Sequence, residues 1–184
     1  SYNSYDSEYS IISSLNRYVD LINNASDEVA YISDNVYYYY QDAADYEQYG
    51  FDPIFSCWYV APDEYDTDLY YDIENPSNQL PEDDRNKLIE KSQEIINTLD
   101  LIEDKCKELD IYVSAQNYLD DNFAGGQLIA DELSAQIDEY YEAHDALITH
   151  VDELFEIYGE PYVVDESNPN DVAFGYMRED IDLA

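Results

Sequence analysis

The sequence predicts an all-α protein: an elongated antiparallel bundle of three long helices, with an apolar connection capping one end and a short C-terminal extension. Three observations carry this. Apolar residues recur at heptad spacing in three separate stretches. Glycine and proline punctuate the ends of those stretches, and only a few residues separate the second stretch from the third, as an antiparallel hairpin requires. With 184 residues, the chain has room for one domain with one core, spanning residues 1–184.

The first helix is expected over residues 10–49. Leu15, Ile22, Val29, Val36 and Ala43 form one row, and Tyr18, Ala25, Ile32 and Tyr39 form the row beside it. Gly50 stands where a left-handed helix end is expected, and Pro53 follows. The connection, residues 50–80, carries Phe51, Ile54, Phe55, Trp58, Tyr59 and Val60. That is too much apolar surface to leave in water, so it is expected to cap one end of the bundle, with room for a short helix after Pro62.

The second helix is expected over 81–117. Leu88, Ile95, Ile102 and Leu109 make one row, and Leu99, Cys106 and Val113 the other. Pro81 followed by Glu82, Asp83 and Asp84 suits a first turn, where acids meet the positive end of the helix dipole. The third, over 121–158, places Leu133, Tyr140, Leu147 and Leu154 beside Ala130, Ile137, His144, Val151 and Tyr158. Gly125 and Gly126 are expected to delay or kink its first turn, and Gly159 and Pro161 to stop it. The extension, residues 160–184, has space for a short helix around 172–178; it either folds back over the bundle or leads into a fourth helix beyond Ala184.

Composition narrows the function classes. Against 44 Asp and Glu stand 7 Lys and Arg, a formal net charge of -37. Such a surface repels nucleic acid and points to cationic partners: basic proteins or peptides, or divalent cations. No apolar run approaches the roughly 20 residues of a membrane span, and no signal peptide is visible. Two cysteines, Cys57 and Cys106, allow one disulfide without making a disulfide framework. Cys106 lies in a seam and is expected to pack as a small apolar residue.

Candidate ligand residues fall in two places. Asp63, Asp66, Asp68, Asp72 and Glu74 concentrate hard oxygen donors that suit calcium, although the turn glycine and final Glu of an EF-hand are absent. His150 and Glu153 share a helix face at a spacing that could present both to one metal ion, though two ligands do not make a site. His144 is expected in the seam as a buried histidine. No catalytic motif separates from so many acids, and no cofactor is called for. Tyrosine is the remaining oddity, with 22 in the chain and an unbroken run from Tyr37 to Tyr40. Four successive helical residues point all round the axis, so some must face water or a partner.

The segment Gln116-Asn117-Tyr118-Leu119-Asp120-Asp121-Asn122-Phe123-Ala124-Gly125-Gly126-Gln127-Leu128, followed by a long amphipathic helix, resembles the YiiG-like family of bacterial lipoproteins. Leu15-Asn16-Arg17-Tyr18-Val19-Asp20-Leu21-Ile22-Asn23 resembles that family's N-terminal helix. The likeness covers about two thirds of the chain. It implies an exported, membrane-tethered helical protein with no known catalytic residues; because no lipid-carrying cysteine stands at Ser1, the tether would belong to a longer precursor. The functional expectation is a non-enzymatic acidic surface or extracellular module that binds or supports. The alternative is a divalent-cation-binding protein using residues 63–74 or the His150/Glu153 pair.

Overall fold

The structure is a computed structural model that describes residues 3–57 and 67–159. The extension after Gly159, with its expected helix around 172–178, lies outside the described residues, as do Asp63 and Asp66. The protein is all-helical: among the described residues there is no strand, and five helices occur. Three are long, α1 (Asn3–Tyr49), α3 (Glu82–Ser114) and α5 (Ala124–Tyr158). Two are short, α2 (Thr67–Glu74) and α4 (Tyr118–Asp121).

The heptad rows are the buried faces. Leu15, Tyr18, Ala25, Val29 and Ile32 on α1 are sealed from solvent, as are Leu88, Ile95, Ile102 and Leu109 on α3, and Ala130, Leu133, Tyr140 and Leu147 on α5. Each buried aliphatic side chain contributes about 1.5–3 kcal/mol relative to exposure. Together they form one core. Outside it the long helices carry mostly polar and acidic residues. No helix among the described residues is long and apolar enough to cross a membrane.

Directions follow from cross-helix bonds. Tyr40 Oη donates to Asp131 at 2.6 Å, and Ser26 Oγ meets Tyr140 Oη at 3.2 Å, so α1 and α5 run antiparallel. Lys105 Nζ meets Glu132 at 2.6 Å, while Thr98 shares a groove with Glu142 and Ala146, so α3 and α5 are antiparallel too. Helices α1 and α3 therefore point the same way. A chain joining parallel neighbours must travel back along them.

That requirement reshapes the connection. At its start, Ile54 N–H donates to Asp42 at 3.1 Å, and Phe55 meets the Tyr39 ring edge-on at 6.2 Å, beside the C-terminal half of α1. At its other end, Tyr18 Oη donates to the Ile73 carbonyl at 2.8 Å, and Ser77 N–H donates to Ser14 Oγ at 3.0 Å, near the N-terminal half. The described ends of the connection therefore lie against opposite halves of α1, the arrangement of a crossover instead of a cap on one end. Its helix, α2, buries Leu69 and Ile73 against that core.

Local geometry marks the ends. Gly50 has φ +72° and donates its N–H to the Tyr46 carbonyl at 2.9 Å, the left-handed end expected of it. The turn between α3 and α5 departs from expectation. Instead of a kink at the glycines, the chain breaks at Asn122 and Phe123, both with positive φ, between α4 and α5. A bulky residue such as Phe adopts that conformation only where packing imposes it. Phe123 stacks on Tyr118 at 5.1 Å and is buried.

Cys106 does more than fill its seam. It is bonded to Cys57, with Cα atoms 5.4 Å apart, fastening the connection to α3 across 49 residues of sequence. The seam position is as expected, since Cys106 is buried in the core, and the bond to Cys57 is added to it.

Candidate functional site

The end of the molecule where α1 finishes and α4 stands collects tyrosines and carboxylates from distant parts of the chain. Tyr40 binds Asp131, Tyr112 Oη donates to Asp121 Oδ1 at 2.5 Å, and Tyr118 Oη donates to Asp52 at 3.0 Å. Backbone N–H groups add to this. Gly125 donates to Asp121 Oδ2 at 3.0 Å, and Cys57 donates to Asp110 at 3.4 Å. These donors are all neutral. They fix the carboxylates in place without cancelling their charge.

Sequence makes the imbalance local as well as global. Residues 40–57 and 108–131 contain no Lys, Arg or His. Among the described residues, Lys105 reaches the border of this region, binding Glu108 and Glu132, while Arg17 binds Asp20 and Asp72 and Lys107 binds Glu103. The hydroxyls themselves stay protonated. Burial, reinforced by the bond to Asp131, pushes Tyr40 up to about 12, and burial followed by the charge of Asp121 pushes Tyr39 up to about 12. Tyr112 and Tyr118 are also raised, in each case by burial first and by their Asp partner second.

Gly126 lets this end close. A methyl group at its position would collide with Tyr39 Oη and the Tyr112 ring. Tyr39 is fully buried, and its hydroxyl finds no hydrogen-bond partner among the described residues. In the tyrosine run, Tyr37 and Tyr38 face outward at 58% and 57% exposure, while Tyr39 faces the core. The surface here is also apolar, for Tyr49, Phe51, Ile54 and Leu119 are all exposed.

The residues singled out in sequence fall elsewhere. Asp68, Asp72 and Glu74 ride on α2, where Asp72 accepts from Arg17 Nε at 2.9 Å and so already has a cation. Glu74 edges an open cleft of about 650 Å³ beside Asn78, Glu82 and Arg85. His150 and Glu153 do come together, with Nδ1 3.5 Å from Oε2. The histidines exchange their expected roles: His150 is the buried one, at 6% exposure, whereas His144 is only partly covered and meets Asp145 at 3.1 Å. The buried stripe of α5, which includes Ala143 and His150, is broader than the heptad rows alone mark. Among the described residues, no three His, Cys, Asp or Glu side chains converge as a metal-binding group.

Asp52, Asp121 and Asp131 do not stand out as site residues in the sequence. Nothing distinguishes these acids from the other carboxylates until folding brings Tyr40 and Asp131, 91 residues apart, into contact. The Gly125-Gly126 pair was the one visible signal. Comparison with protein-family models, curated proteins and solved structures gives no match.

Proposed function

We propose that this protein is a non-enzymatic, acidic helical module of the bacterial surface or extracellular space that works by binding cationic partners. In this reading its three long helices form an elongated bundle that serves as a rigid support. One observation carries the proposal: at one end, carboxylates are held by neutral tyrosine and backbone donors, with no basic residue in the contributing stretches to neutralise them. A fixed negative field attracts cations and accelerates their encounter. The Cys57–Cys106 disulfide supports an oxidising compartment. The resemblance to YiiG-like lipoproteins supports the same location.

Isothermal titration with an oligolysine peptide, and with oligoglutamate as the control, tests this at about 0.15 M salt. Oligolysine should bind with a Kd of about 10 µM or tighter, and oligoglutamate should give no heat. Equal absence of binding for both peptides would remove the proposal. Divalent-cation binding is the second reading, favoured by the approach of His150 to Glu153.

A further inference from the structure

The carboxylate-rich end is also the place where apolar side chains stand free, and this combination narrows the partner. Phe51 is 71% exposed and Ile54 79%. Tyr49 stacks obliquely on Phe51 at 6.3 Å. Asp52, next in sequence, is gripped by Tyr118, whose neighbour Leu119 is 56% exposed. Two chain segments thus present one apolar end bordered by Asp52 and Asp120, both exposed.

Charge decides what can cover it. A second copy would bring the same acids against themselves, and like charges in a desolvating contact cost several kcal/mol. An anionic bilayer or a nucleic acid is repelled for the same reason, with no Lys, Arg or His in residues 40–57 or 108–131 to receive phosphate. A segment with an apolar face and flanking Lys or Arg satisfies both halves of the surface. Resting on the reading of the protein as a binder of cations, we propose that Tyr49, Phe51, Ile54 and Leu119 form a docking surface for a basic amphipathic helix of a partner protein. The partner's apolar face covers these side chains, and its cations reach Asp52 and Asp120.

The test uses two synthetic peptides of about 18 residues with equal charge. One has Leu along one face and Lys along the other; its control has Ser in place of Leu. Titrated into the full chain at about 0.15 M salt, the Leu/Lys peptide should bind at least about tenfold more tightly than the Ser/Lys control. Phe51→Ser combined with Leu119→Ser should reduce it to the control's affinity without moving the melting temperature. Ile157→Ser, an exposed residue near the far end of α5, should change nothing. If the two peptides bind alike, or if the double substitution has no effect, the docking surface is disproved while the general attraction to cations stands. If neither peptide binds, both proposals fall together.

Discussion

Single residues show how closely this fold balances polar groups against burial. Tyr18 and Tyr39 are both sealed in the core, yet Tyr18 donates to the Ile73 carbonyl and Tyr39 has no partner among the described residues. Tyr18→Phe should therefore cost about 1–2 kcal/mol, whereas Tyr39→Phe should be neutral or stabilising. Equal losses on denaturant unfolding would contradict the assignment. Glu28 offers a pH test. Burial, then the nearby charge of Glu103, raises its pKa from 4.5 to about 7, and its Oε2 is buried without a bond. The folded state holds this proton more tightly than the unfolded chain does. Its contribution to stability is thus fully present below about pH 4.5 and is lost as pH rises through about 7. Glu28→Gln should raise the melting temperature near pH 8 by roughly 5 °C, about 2 kcal/mol after allowance for screening, and do nothing near pH 4.5. A rise of the same size at both pH values would refute the account.

The disulfide gives the elements their clearest test. Because α1 and α3 are parallel, the crossover between them is long, and Cys57–Cys106 ties it down across 49 residues. Closing a loop of that length stabilises by about 4 kcal/mol in the chain-entropy picture. Reduction should lower the melting temperature by about 10 °C. A Cys57→Ser, Cys106→Ser variant should start from that lower value and ignore reductant; insensitivity of the unsubstituted protein would show that the bond is absent in solution. At the turn into α5, Gly126→Ala should cost about 1–3 kcal/mol through overpacking against Tyr39 and Tyr112. These elements were legible to different degrees. The heptad rows Leu15 to Val36, Leu88 to Leu109 and Leu133 to Leu154 announced the long helices and their buried faces, because helical periodicity is a local property. The parallel placement of α1 and α3 was not legible, since either direction buries the same rows. That one missing fact turned an expected cap into a crossover. The Tyr40–Asp131 and Tyr118–Asp52 bonds were hidden for a related reason: with 44 acidic residues, composition cannot say which carboxylate a tyrosine will find.

For the whole molecule, the governing quantity is a formal charge of -37. In the proposed reading that charge acts as a collective field, screened by any salt. The alternative is a set of specific ion sites. The two views separate in one measurement, thermal melting followed by far-UV circular dichroism in calcium chloride and in sodium chloride at equal ionic strength. The field predicts that the two salts raise the melting temperature by the same amount, through screening of self-repulsion. A calcium-specific rise of many degrees beyond matched sodium would contradict it and establish a bound ion as part of the fold.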